Sequence, residues 1–160
     1  MALGTTLLWR IAKHTVQYAA SDMSGGGAKA TGGRWNSKGV PVVYASTSIA
    51  LATLETLAHL GDNIAIRNAF LLQIDVPATV WKLREIIQPA DLDPTWVAEP
   101  SGSTTVSFGD NWLGGASAPL LMVPSVIVPE EYNVLINPMH PWAKRLQVRI
   151  VRQFVYDPRL

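Results

Sequence analysis

Apolar residues in this chain come in short bursts closed off by glycine, proline or small polar residues, so the pattern predicts many short elements. Thr6 to Ile11 reads as a first strand and Ser21 to Asn36 as a long glycine-rich loop. The run Val40 to Ala45 reads as a second strand, closed by Ser46, Thr47 and Ser48, which are able to cap a helix. Ile49 to Leu60 has the clearest helical period. Ala50, Leu51, Leu54, Leu57 and Ala58 form its apolar arc, Glu55 falls at the edge of that arc, and Gly61-Asp62-Asn63 is its stop. Phe70, Leu72, Ile74 and Val76 are set against Gln73 and Asp75, the mark of a half-exposed strand from Phe70 to Val76.

Beyond it, Pro77 to Trp96 reads as short irregular or helical structure broken by Pro89 and Pro94, and Pro100 to Thr105 as a polar loop. The segment Asp110 to Gly115 fits a mobile or partner-contacting loop. Leu120 to Val128 and Val134 to Ile136 are apolar strands, and Leu146, Val148 and Ile150 alternate with Gln147 and Arg149. One substantial helix among at least five short strands, without regular strand-helix alternation, predicts an α+β domain and not a doubly wound sheet.

Composition narrows the class. With 160 residues, 48% of them hydrophobic and 16% charged, the chain suits a single domain over residues 1–160 with one real core. A net charge of +1 with both signs scattered gives no basic stripe or acidic tail for nucleic acid or a membrane surface. The absence of cysteine removes disulfides, thiolate catalysis and cysteine-ligated zinc, and suits a reducing cytoplasm. Met1 to Arg10 lacks a charged leader before its apolar run, and no window approaches the ~20 apolar residues of a membrane span, so a soluble protein is expected. His14, His59 and His140 have no metal-ligand spacing, and no metal is expected. Gly25-Gly26-Gly27-Ala28-Lys29-Ala30 has the letters of a dinucleotide fingerprint but neither a strand before it nor a long amphipathic helix after it.

The candidate chemistry starts at Gly32-Gly33-Arg34-Trp35-Asn36-Ser37-Lys38-Gly39. The glycine pair allows close backbone approach to a ligand, and arginine offers a planar fork of donors suited to phosphate. On helix geometry alone Glu55 fits either a rim carboxylate paired with lysine or arginine, or one that meets a ligand hydroxyl. Tyr44 fits either a core tyrosine or an aromatic plane beside the loop that stacks on a heterocycle. Ser125, in Val123-Pro124-Ser125-Val126, lacks the glycines of a nucleophile elbow. Positioning is therefore its better role, triad chemistry with His59 or His140 has little support, and Ser117 competes with it for a site role. Asn137-Pro138 and His140-Pro141 are also turn signals.

These motifs in this order, with Leu8-Trp9-Arg10-Ile11 as an opening strand, Gly39, Pro41, Ser46, the Leu51-Ala52-Thr53-Leu54-Glu55 helix with His59, and the Asn137-Pro138-Met139-His140-Pro141 block, resemble the RES family of bacterial toxins over nearly the whole chain. The family's naming arginine, glutamate and serine correspond to Arg34, Glu55 and Ser125. The resemblance implies an ADP-ribosyltransferase-like fold: two small, mainly antiparallel sheets with few short helices around an NAD cleft, with NAD as substrate and no other cofactor. It implies a toxin that degrades NAD by hydrolysis or phosphorolysis, or one that ADP-ribosylates a protein. It also implies a helix-turn-helix antitoxin that blocks the cleft and supplies the only contact with DNA; homo-oligomerisation stays open. In that frame Glu55 holds the ribose hydroxyls and stabilises developing positive charge, Arg34 with Arg10 grips the pyrophosphate, Tyr44 stacks on nicotinamide, and Ser125 orients the substrate. Trp35 and Asn137 shape the pocket or hold the loop. The rival from another class is a nucleotide- or peptide-binding module in which Glu55 is structural.

Overall fold

The computed structural model describes residues 4–60 and 68–160. Strand β1 (Thr6–Lys13) leads through a loop and a one-turn helix α1 (Gly26–Thr31) to β2 (Val43–Ser46) and helix α2 (Ile49–Leu60). Then follow β3 (Ala69–Val76), the short α3 (Ala78–Trp81), β4 (Glu85–Ile86), two 3-10 turns and helix α4 (Ser103–Gly115). Strands β5 (Leu120–Pro124), β6 (Tyr132–Ile136) and β7 (Gln147–Gln153) complete the chain. The α+β class and the bounds of α2 agree with the sequence pattern, while the expected stop at residues 61–63 lies outside the described residues. No described helix is long and apolar enough to cross a membrane.

The strands form one sheet in the order β4, β5, β6, β2, β1, β3, β7, antiparallel except for the β4–β5 pair. The two small sheets expected from the resemblance are thus two lobes of one ladder. They are joined by the single register pair Trp9↔Ser46 between β1 and β2, whereas β1 and β3 pair along all eight residues from Thr6↔Val76 to Lys13↔Ala69. Toward Arg10 and Tyr44 the two strands share no further register partner, and the lobes part there.

Alternation in the strands divides the core between the two faces of the sheet. Leu8, Val43, Ala45, Ile74, Val134 and Ile136 pack in one cluster, and Val42, Leu121, Val123 and Leu135 pack with Trp35 and Trp112 in another. Strand β3 is more buried than its half-exposed pattern suggested. It lies between β1 and β7, and Gln73, one of its polar positions, bonds the Asp75 carboxylate and accepts from Arg149.

Two further expectations are corrected. The long loop from Ser21 contains α1, entered through Gly25 at φ 77°. The segment Asp110 to Gly115 is the end of helix α4, whose Thr105, Gly109, Trp112 and Leu113 share a buried face at helical spacing. Low helix propensity hid it: glycines and β-branched or hydroxylated residues fill this stretch, and the helix forms because its inner face is covered. Gly109 shows how close the approach is, since a Cβ there would overlap the Trp35 carbonyl.

Gly109→Ala should therefore lower unfolding stability by at least about 2 kcal/mol, because the overlap is with backbone and cannot be relieved by a rotamer change. Gly114→Ala, in open space on the same helix, should gain about 0.5–1 kcal/mol. Urea unfolding of the two variants checks this, and the reverse order would reject the packing of α4 on the loop.

Candidate active site

The Gly32–Gly39 loop is folded by its own side chains. Gly33 and Asn36 exchange backbone hydrogen bonds, and buried Asn36 donates through Nδ2 to the carbonyls of Ala28 at 2.9 Å and Val40 at 3.0 Å. The Tyr44 hydroxyl donates to Asn36 Oδ1 at 2.6 Å and accepts the Trp35 amide at 3.1 Å. Glycine is required at position 33, where a Cβ would stand 2.8 Å from that hydroxyl and 2.9 Å from Asn36 Oδ1. From the other side Asp110 of α4 accepts the Ser37 amide at 2.9 Å and the Ser37 hydroxyl. Trp35 is buried, edge-on to Phe108. Burial pushes the Tyr44 phenol well above its ordinary value, more than the Trp35 amide lowers it, with Asp110 adding to the rise and Arg34 opposing it.

The two candidate arginines differ in their surroundings. Arg34 is strapped to the second 3-10 turn, Pro94–Val97, and the residues after it: Nη1 donates to the carbonyls of Trp96 at 3.0 Å and Ala98 at 2.7 Å, and Nη2 meets the exposed Glu99 carboxylate at 2.6 Å. Arg10 reaches across the divergence of β1 and β2, where Nη1 donates to the Tyr44 carbonyl at 2.9 Å and Nε is buried without a partner among the described residues. Desolvation pulls this guanidinium below its ordinary value, with the negative charge of Asp22 acting the other way. A cleft of about 240 Å³ opens beside it, lined by β1 residues Arg10 to Lys13, by Tyr18, Asp22 and Gly27, and by Thr56 of α2.

Glu55 sits one residue before Thr56. The buried face of α2 is centred on Leu51 and Ala52, with Glu55 and Thr56 half-buried one turn on, while Leu54, Ala50 and Ala58 of the expected apolar arc are exposed. The helix is rotated from its hydrophobic-wheel setting because Glu55 has partners inside. Its Oε1 accepts Ser125 Oγ–H at 2.7 Å and Asn133 Nδ2–H at 2.7 Å. Ser125 is fully buried, and its Oγ also accepts the amides of Ile127 and Val128 at 3.1 Å each. Its lone pairs and its proton are all engaged. Asn133 in turn is fixed by Ser46, whose Oγ donates to Asn133 Oδ1 at 2.7 Å.

Glu55 and Ser125 are thus brought together, and Arg10, Tyr44 and Trp35 are linked through hydrogen bonds around the Tyr44 backbone and hydroxyl. Arg34 points to residues 96–99. Asn137 is buried with its amide on main chain, donating to the Leu113 carbonyl and accepting the Met139 amide, so it holds the loop. Ser117 is exposed and donates to Glu85. His59 contacts the carbonyl of Glu55 and His140 caps its own 3-10 turn, and neither meets Ser125. The region Val126 to Val128, expected as strand, is a turn that closes on Ser125 through the Ser125 amide and the Glu131 carbonyl. Sequence reasoning missed Asn133 and, as a site residue, Ser46. The available signal was positional: they are direct register partners between β2 and β6. Among the described residues no group of three or more histidines, aspartates and glutamates gathers as a metal site.

The molecule is thus a small α+β domain in which a carboxylate is held at one oxygen beside the narrow junction of its sheet. The family follows from comparison: the chain matches the RES domain model over residues 7–157 and belongs to the RES-domain toxin family. It is 51% identical over 156 residues to a protein of Sphingobium sp. (strain YBL2) described as a Prs ADP-ribosylating toxin, covering 98% of this chain and 97% of that one. It is 38% identical to a protein named Toxin Res from Yersinia enterocolitica, over 96% and 99% of the two chains. It is 40% identical to another of that name from Pseudomonas putida, again over 96% and 99%.

The phenol of Tyr44 has a pH consequence. A raised folded-state value means that the native protein holds the proton more tightly than the unfolded chain, so the stabilisation is complete below pH of about 10 and is lost as pH rises beyond it. The unfolding midpoint of the wild type should fall on the alkaline side, and Tyr44→Phe should show a shallower fall. Tyr156, also raised by burial, acts in the same direction. Equal alkaline slopes in denaturant titrations would place the Tyr44 hydroxyl outside the loop network.

Proposed function

We propose that this chain is an NAD-consuming toxin, the toxic half of a type II toxin-antitoxin pair acting in the cytoplasm, that breaks the bond between nicotinamide and ribose. The observation that carries this reading is the Glu55 carboxylate, anchored at one oxygen by Ser125 and Asn133 and without a basic partner among the described residues. In the reaction the C1′–N1 bonding pair leaves with the pyridinium nitrogen, so nicotinamide departs neutral and needs no general acid. The ribose passes through an oxocarbenium-like state, and an oxygen lone pair of the acceptor forms the new bond at C1′ as the acceptor's proton is released to solvent. The free oxygen of Glu55 meets the ribose hydroxyls and stabilises the developing positive charge. Arg10 and Arg34 hold the pyrophosphate, and the Tyr44 ring lies against nicotinamide.

Water or phosphate as acceptor makes the enzyme an NAD glycohydrolase or phosphorylase. A second reading, transfer of ADP-ribose to a protein side chain, is favoured by the 51% identical relative described as ADP-ribosylating. Both share the first step and the same carboxylate. The neutralising partner in this proposal is a helix-turn-helix antitoxin that covers the cleft.

Purified chain incubated with NAD should release nicotinamide, with ADP-ribose or its 1-phosphate as product, or with label from NAD appearing on a protein when bacterial extract is added. Glu55→Gln should lower the rate by roughly 10²-fold or more. Arg10→Ala and Arg34→Ala should each raise KM by about tenfold to a hundredfold, the size of one lost charge-assisted contact. Binding of NAD without nicotinamide release under any of these conditions would replace the enzyme by a binding module.

A further inference from the structure

Both hydrogen-bond donors at Glu55 converge on the same oxygen. Ser125 Oγ–H and Asn133 Nδ2–H each reach Oε1 at 2.7 Å, and no other described side chain or amide donates to Oε2. A glutamate on a helix has three side-chain torsions, and a single donor would fix a point on the carboxylate while leaving its plane free to turn. Two donors from different directions fix the plane. They also come from different elements, Ser125 from the turn after β5 and Asn133 from β6 itself.

Asn133 works as a donor only in one of its two amide orientations. Turned over, it would set Oδ1 against Oε1, acceptor against acceptor. The Glu55 carboxylate, which only accepts, selects the orientation that aims Nδ2 at it, and buried Ser46 Oγ, donating to Oδ1 at 2.7 Å, holds the other end of the amide in place. Ser46 and Asn133 are register partners between β2 and β6, so this relay is fixed by the sheet ladder. Asn133 has each end of its amide engaged within the protein.

Resting on the NAD-cleavage reading, we infer that Asn133, held in place by Ser46, is a positioning residue that works with Ser125 to fix which oxygen of Glu55 meets the substrate. It acts through Glu55, and its loss is felt in turnover and not in substrate binding. Ser46 acts only through Asn133, which makes the two substitutions non-additive. Ser125 acts on Glu55 by a separate route, so its loss adds to that of Asn133.

The test is the nicotinamide-release assay on variants that keep the wild-type melting temperature. Asn133→Ala should lower kcat by about tenfold to a hundredfold with KM changed by less than about threefold. Asn133→Asp, of the same shape but with an acceptor facing Oε1, should be worse than the alanine variant. Ser46→Ala should cost a smaller factor alone and nothing further in the Asn133→Ala background, whereas Ser125→Ala added to Asn133→Ala should approach the level of Glu55→Gln. Additive losses for Ser46 and Asn133, or a fall that lies mainly in KM, would overturn the inference. A second readout needs no substrate: the side-chain amide signals of Asn133 in a ¹⁵N spectrum should shift in Glu55→Gln and broaden in Ser46→Ala. A wild type that releases no nicotinamide defeats the function reading, and unmoved amide signals defeat the positioning inference, so the two failures are told apart.

Discussion

The single ladder pair between Trp9 and Ser46 is the constraint from which the site follows. Strands β1 and β2 touch there and then part, so the carbonyl of Tyr44, two residues away, has no β1 amide to accept. Arg10 fills that role from the side with its guanidinium. An unpaired buried carbonyl would be costly, and so would a buried cation without acceptors; the pairing satisfies one directly and the other in part. What is left over, a desolvated Nε beside a cleft, is a polar group that no described residue satisfies. The same junction residue, Ser46, sits on the face of β2 that carries Tyr44, and its hydroxyl is the start of the relay through Asn133 to Glu55. One narrow contact between two lobes thus organises a cationic group on one side and a carboxylate on the other.

The glycine loop is held from three sides, by Asn36 to the carbonyls around it, by Tyr44 beneath it and by Asp110 of α4 beyond it. Two glycines make this possible for steric reasons, Gly33 over the tyrosine hydroxyl and Gly109 over the Trp35 carbonyl. Side chains at either position would push the loop away from the sheet. The loop is therefore a packed part of the domain, and Arg34 leaves it with its orientation fixed by the carbonyls of residues 96 and 98.

Much of this was legible in the chain. The start of α2 followed from its Ser48 cap and its period, and Gly32-Gly33-Arg34, Glu55 and Ser125 stood out because glycine pairs and polar residues in apolar runs are rare without a cause. The inner face of α2 was misjudged because a hydrophobic wheel counts Leu54 as core and Glu55 as rim. It has no knowledge of two donors waiting across the sheet, which make the carboxylate an inward residue and leave Leu54 in solvent. Helix α4 was missed because its stability is tertiary. Asn133 was missed because an asparagine at a strand start reads as turn chemistry, and only the β2–β6 register reveals that Ser46 stands opposite. Composition names candidates well; it does not reveal pairings that depend on which strand lies beside which.

The anchoring also bears on the reaction proposed. A carboxylate whose two oxygens were equally solvated would reorganise as positive charge grew on the ribose, and that reorganisation would oppose the gain in charge stabilisation. Holding Oε1 by two donors removes the freedom to turn and leaves Oε2 without a donor among the described residues. The donors belong to a buried serine and a ladder asparagine, both fixed by further hydrogen bonds, so the arrangement exists before substrate arrives. In the proposed reaction such preorganisation would matter more than acid catalysis, because nicotinamide would depart as a neutral molecule. The requirement of that proposed step is a fixed negative charge near C1′, and the hydrogen bonds from Ser46 through Asn133 are what fix Glu55.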